Sequence, residues 1–231
     1  MFSTSTVYSG TFNYAPSGGE IIFTAFSRIG VRPTEILSRH MNDAVMELNL
    51  LLARLANTQP NLWSVELQAL PLTESQATYS LPAEIVMITN AYVRTGTKDS
   101  VIFALSQTEY AALADKTTEG SPNQFWFNRT ISPEITFYPV PDGNGPYTVY
   151  YYMVRQIQDG VATNGYNVEV PYLWLDAVVA GLAHRLSRIY APQLEQIRKV
   201  DADEAWLIAA NQNVENVQMT IQPGIGDYYK Y

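Results

Sequence analysis

The side chains in this sequence that could do chemistry are few and scattered. His40 and His184 each stand alone on a predicted helix, with no His-Glu-x-x-His and no second ligand four residues away. A lone helical histidine reads as a packed or solvated side chain, not as a ligand or general base. No Gly-x-Ser-x-Gly turn presents a serine nucleophile. Asp142-Gly143-Asn144-Gly145 has residue types found in calcium loops but lacks the further ligands and closing glutamate, so it reads as a turn. Gly224-Ile225-Gly226 follows no predicted strand and opens no predicted helix, which removes it as a phosphate cradle. Asn128-Arg129-Thr130 matches a glycosylation acceptor, but no secretory leader is read that would give the match meaning. With no cysteine, the chain has no disulfides, thiolate zinc sites, iron–sulfur clusters or cysteine nucleophiles. One group is chemically dense: Asp201, Asp203 and Glu204 on a predicted helix, which form a solvated acidic face or the lining of a channel. The residues point away from catalysis, and no metal or cofactor is expected.

Composition points to association instead. The 231 residues are enough for one large domain or two small ones, with a core that needs no covalent staple. Charged residues make up only 16%, below the ~25% usual for globular domains, and Tyr, Asn, Gln, Ser and Thr take their place. Such a surface favours protein contacts. The net charge is −8, and the 14 basic residues are spread along the chain with no patch in sequence. Gripping nucleic acid needs clustered cations, so that role is not expected. Lining a passage through which nucleic acid slides is compatible, because an acidic wall repels phosphate. No apolar run approaches about 18 residues, so no transmembrane helix is expected.

The elements are organised around residues 125–156. Aromatic and β-branched runs at 125–130, 135–140 and 147–156 are separated by Ser132-Pro133 and by Pro141-Asp142-Gly143-Asn144-Gly145-Pro146. The pattern predicts an antiparallel meander. In its third strand Tyr147, Val149, Tyr151 and Met153 share one face, and Thr148, Tyr150, Tyr152 and Val154 the other. Neither face is strongly polar, so both are at least partly covered. Before it, period-two patterning predicts a strand at 61–70, and further strands are read at 76–81, stopped by Pro82, at 85–95, turned at Gly96, and at 100–105, giving roughly seven in all. Ser106 with Glu109 predicts a capped short helix running to about Asp115.

Helices flank this region. A short one is predicted over 20–29, closed by Gly30. A longer one carries Leu37, Met41, Ala44, Leu48, Leu51 and Leu55 at spacings of four and three, with Thr34 or Ser38 as its N-cap. After Val170-Pro171, Leu173, Trp174, Ala177, Val178, Gly181, Leu182, Leu186 and Ile189 form a third stripe. Beyond Pro192, Leu194, Ile197, Val200, Ala205, Leu207 and Ile208 form a fourth, with Glu195 and Lys199 as an i,i+4 pair. The fold class is α+β: a helical bundle body, residues 20–60 and 168–216, with an inserted antiparallel β domain, residues 61–167. Extended arms lie at 1–19 and 217–231.

The C-terminal arm is informative. Holding about 15 residues in one shape costs on the order of 15–30 kcal/mol. Each buried aromatic returns about 4–6 kcal/mol. Ile221, Ile225, Tyr228, Tyr229 and Tyr231 balance that cost only against a receiving surface, so the arm is expected to order on another subunit or protein.

Several local phrases, in order, resemble one family. They are Ile29-Gly30-Val31, Leu48-Asn49, Leu62-Trp63 and Tyr79-Ser80-Leu81-Pro82, then Tyr110 followed by Gly120-Ser121-Pro122. Pro133, Tyr138-Pro139-Val140-Pro141, Tyr150-Tyr151-Tyr152, Val170-Pro171 and Gly181-Leu182-Ala183 complete the series. Across about residues 20–217 the chain resembles the head-to-tail adaptor (connector) proteins of short-tailed bacteriophages, the tail tubular protein A-like group. The resemblance implies a non-enzymatic virion protein at the head–tail junction, assembled in the host cytoplasm. It implies a ring, commonly of twelve copies, between the portal protein and the tail tube or nozzle. It also implies DNA passing through without sequence-specific binding, and a C-terminal segment docked on the portal. That carries Ile221, Ile225, Tyr228, Tyr229 and Tyr231 as docking candidates, with Asp201, Asp203 and Glu204 as channel-facing candidates. The competing reading is an enzyme or ligand-binding module whose aromatic strands form a carbohydrate or nucleobase platform.

Overall fold

The computed structural model describes residues 11, 14–58, 62–162 and 166–213. Helix α1 spans Gly18–Arg28. Its start was not read from the sequence: the Ser17 hydroxyl accepts from the Glu20 amide, and the Glu20 carboxylate accepts from the Ser17 amide at 2.8 Å. The Ser17 amide first, then the Ser17 hydroxyl at 2.9 Å, donate to the Glu20 carboxylate and hold it below its ordinary value. Gly30 follows at φ +84°, the left-handed conformation that ends a helix without Cβ strain. Helix α2 spans Ser38–Thr58. The Leu37 amide donates to His40 Nδ1 at 3.2 Å, so this histidine satisfies one of the helix's orphan donors.

Nine strands follow in chain order with one short helix: β1 Val65–Pro71, β2 Thr78–Ser80, β3 Ile85–Thr95, β4 Lys98–Leu105, α3 Gln107–Ala112, β5 Glu119–Gly120, β6 Gln124–Asn128, β7 Glu134–Tyr138, β8 Val140–Pro141 and β9 Tyr147–Arg155. The Ser106–Glu109 capping box opens α3 as its sequence predicts, though the helix stops at Ala112. Seven strands form one sheet in the order β1-β9-β3-β4-β6-β7-β2, antiparallel except for β4–β6. β5 and β8 form a separate parallel pair.

The three-stranded meander does not form. β6 and β7 pair as predicted, but β9 leaves them and enters the sheet between β1 and β3. Pro139, Pro141 and Pro146 carry no amide donor and cannot continue a ladder beside β7. β9 is apolar on both faces, and the centre of the sheet supplies a hydrogen-bonded neighbour on each side. Its alternation holds as far as Met153: Tyr147, Val149, Tyr151 and Met153 are buried, while Tyr150 is half-buried and Tyr152 exposed; Val154, on the second face, is buried as well.

A short 3-10 turn at Tyr172–Trp174 leads into α4, Leu175–Tyr190, and another at Pro192–Leu194 leads into α5, Glu195–Asn211. The chain is thus α+β. One apolar core lies among the helices around Ile22, Phe26, Leu48, Leu182 and Leu186. A second lies on the sheet around Val93, Phe125, Ile135, Phe137 and Val149. Side chains stitch the segment after β9 to its surroundings. The Asn49 amide donates to the Gly160 carbonyl at 3.1 Å and accepts from the Gly160 amide at 2.7 Å. A Cβ on Gly160 would sit 2.7 Å from Leu48 Cδ2, so the backbone lies close on α2. Asn49→Ala leaves two backbone groups without these partners and is expected to cost about 1–3 kcal/mol. Chemical denaturation measures the loss, and protection of the Gly160 amide in hydrogen exchange should fall with it.

Candidate assembly surface

Helix α5 departs most from its sequence pattern. Its inward residues are small: Ala202, Ala205 and Ala209 are buried in the helical core. Small side chains let α5 lie close on α4. The larger apolar residues expected to form its core stripe point outward instead. Ile197, Val200, Leu207 and Ile208 are 53%, 56%, 59% and 61% exposed. Leu173 and Ile189, placed in the core by periodicity, are also exposed. A helix apolar on both faces gives no unique inward stripe, and here the alanines take the inside.

Helix α2 has a second outward face of the same kind. Ala44, Leu48, Leu51, Leu52 and Leu55 are buried, while Met46 and Leu50 are 66% and 51% exposed. Leu37, assigned to its core stripe by spacing, is 53% exposed just before the helix. Monomeric proteins seldom expose large contiguous apolar patches, and such patches mark contact sites.

Between α2, α4 and α5 lies a cavity of about 330 Å³, walled by Arg54, Arg185, Arg188, Lys199, His184 and Asp203. Basic residues scattered in sequence are thus gathered into one patch in space, contrary to the expectation of none. Folding partly neutralises it. Arg185 pairs with Glu47 at 2.9 Å, and Arg188 pairs with Glu195 at 3.2 Å. Glu195 turns back to Arg188 and does not make the predicted pair with Lys199, which has no ion-pair partner among the described residues. Burial first, then Arg188, pushes the His184 imidazole below its ordinary value, so it is neutral near pH 7. His40 packs its ring on Tyr190 and Phe26. Among the described residues no cluster of His, Asp or Glu is arranged to hold a metal.

The acidic candidates are spread out. Successive residues turn by about 100° around a helix. Asp201 pairs with Arg198 at 2.9 Å. Asp203 stands on the cavity wall, and Glu204 lies within the exposed apolar stripe. The docking candidates Ile221, Ile225, Tyr228, Tyr229 and Tyr231 lie outside the described residues.

The aromatic strands make a poor ligand platform. Phe125, Phe137, Tyr147 and Tyr151 are buried, and Trp126, Phe127 and Tyr138 are half-buried. On the open face Tyr92 and Tyr150 stack on each other at 5.2 Å, and the Arg94 guanidinium sits 4.6 Å from the Tyr150 ring centre. Arg94 is fixed by Asp99 at 2.7 Å, and that pairing raises the pKa of Arg94 and lowers that of Asp99. Tyr110 and Trp126 likewise stack at 4.9 Å, so these pairs already use the ring faces a sugar or base would need. Among the described residues no helix is long and apolar enough to cross a membrane.

A family model described as SU10 adaptor protein matches residues 18–221. No curated protein matches the chain.

Proposed function

The chain belongs to the SU10 adaptor protein family of phage proteins, and from that premise we propose that it forms a ring bridging the portal and the tail. The observation that carries the reading is the extent of the match, which takes in α1 through α5 and the whole sheet. The helical elements before and after the sheet would act as the body, with residues 61–167 as an insertion. Twelve copies is the number the resemblance suggests. The ring would seal the packaged genome and guide its exit, with DNA sliding through unread. Asp203 is the acid we keep for the passage, since Asp201 is paired and Glu204 sits among apolar side chains. The role is structural and involves no catalysis.

Residues 217–231, with Ile221, Ile225, Tyr228, Tyr229 and Tyr231, would latch onto the portal by extended pairing and aromatic anchoring. The test is electron microscopy of the full chain mixed with purified portal rings. A ring of density stacked on the portal is expected. Removing residues 217–231 should leave the melting temperature within about 2 °C, because the arm is expected to order only on a partner. It should weaken portal binding by about a hundredfold or more, as loss of several aromatic anchors does. A chain that never associates with portal, or a truncated chain that binds it as well, overturns this assignment.

A further inference from the structure

We infer that the exposed face of α5 on one copy packs antiparallel on the exposed face of α2 on the next copy, with Arg39 of one opposite Glu204 of the other. The inference rests on the ring reading and gives it a contact. Two observations support it. First, the molecule carries two different unpartnered apolar helix faces. On α5 they are Ile197, Val200, Leu207 and Ile208, and on α2 they are Met46 and Leu50, with Leu37 beside its start. A contact between different faces repeats head to tail, closing into a ring when the rotation allows.

Second, charge and spacing match. Arg39 and Met46 are seven residues apart on α2, and Ile197 and Glu204 are seven apart on α5, each about 10.5 Å along the axis. Laid antiparallel, Met46 meets Ile197 when Arg39 meets Glu204. Arg39 and Glu204 are both exposed, and neither makes an ion pair among the described residues. A two-fold contact of α5 with itself is disfavoured. Centred at the level of Ala202, it would set Asp201 of one copy level with Asp203 of the second. Like charges brought together at an interface cost several-fold to many-fold in affinity.

Mass photometry and sedimentation of the full chain, alone and on portal rings, test the contact. Ile197→Asp with Leu207→Asp should keep the melting temperature and abolish copy-to-copy association, and Met46→Asp should do the same from the other face. Arg39→Glu and Glu204→Arg should each raise the concentration for half-assembly by about tenfold. Mixing those two variants should restore assembly, because each supplies the charge the other lacks. Such mixed assemblies should hold even numbers of copies.

If the wild-type chain never self-associates, the ring reading fails and this contact with it. If the wild type assembles and the aspartate variants assemble equally well, the ring stands and this contact is wrong. If the aspartate substitutions melt the isolated chain instead, the stripe is covered by the chain's own residues, which also overturns the proposal. Failure of the mixture to recover would exclude the Arg39–Glu204 register.

Discussion

Phe26→Ala lowers the stability of the folded chain by about 3–5 kcal/mol, the range for emptying a fully buried aromatic site. For a chain of this size that is a fall of roughly 6–20 °C in melting temperature. Phe26 has no exposed surface and sits where α1, α2 and α4 converge. Its ring lies 5.7 Å from Tyr190 and 6.1 Å from His40, whose rings are themselves 4.8 Å apart edge to face. The Tyr190 hydroxyl donates to Asp43, and burial with this bond pushes the phenol up to about 12. It keeps its proton and its bond at any ordinary pH. The surrounding rings are held by that bond and by α2, so they cannot collapse into the vacated space. That places the cost toward the upper end. Phe26→Leu keeps most of the volume and should cost under about 2 kcal/mol. Thermal denaturation by circular dichroism checks both, and equal losses would show that the cluster relaxes freely.

Arg155→Met is the second large effect, about 2–4 kcal/mol. Arg155 stands between two carboxylates from different parts of the chain: Glu66 on β1 at 2.5 Å and Glu169 before α4 at 2.8 Å. The guanidinium is mostly covered, and both carboxylates keep some contact with water. Removing one member of a buried ion pair costs about 3–5 kcal/mol, and the partial exposure of the acids reduces that here. The pH dependence separates charge from packing. The Arg155 bond, foremost, holds the Glu169 carboxyl below its ordinary 4.5. A depressed folded value gives stability that is complete above the unfolded value and is lost as pH falls through the folded one. In the variant two carboxylates share a site with no cation, and protonation relieves them. The gap between wild type and variant, measured by urea unfolding, should narrow from pH 6 to pH 3.5. A gap of constant size would mean that Arg155 acts by packing alone.

Local signals read from the sequence carried over well where they were chemical. Gly30 ends α1, Ser106 and Glu109 cap α3, and β3 spans the residues read as a strand up to the turn at Gly96. What sequence could not supply was pairing at a distance. Period two says that residues 147–155 form a strand, but nothing local says that their neighbours are β1 and β3 instead of β7. Periodicity also misplaced α5. Both its faces carry apolar residues, and only the small size of Ala202, Ala205 and Ala209 distinguishes the side that meets α4. The candidate surface was therefore hidden inside a stripe assigned to the core. A signal was present in retrospect: three alanines at spacings of three and four opposite larger aliphatics. The cationic cavity was invisible for a related reason, since Arg54, Arg185 and Lys199 meet only through packing of three helices.

The central position of β9 also sets a schedule for synthesis. β1 has no other partner in its sheet, and 75 residues lie between Pro71 and Tyr147. At about 5–20 residues per second a ribosome needs roughly 4–15 s to deliver the missing strand. Throughout that interval the first strand of each nascent copy offers an open backbone edge to its siblings on the same message. The order in which the strands emerge thus sets how long that edge stays unpaired.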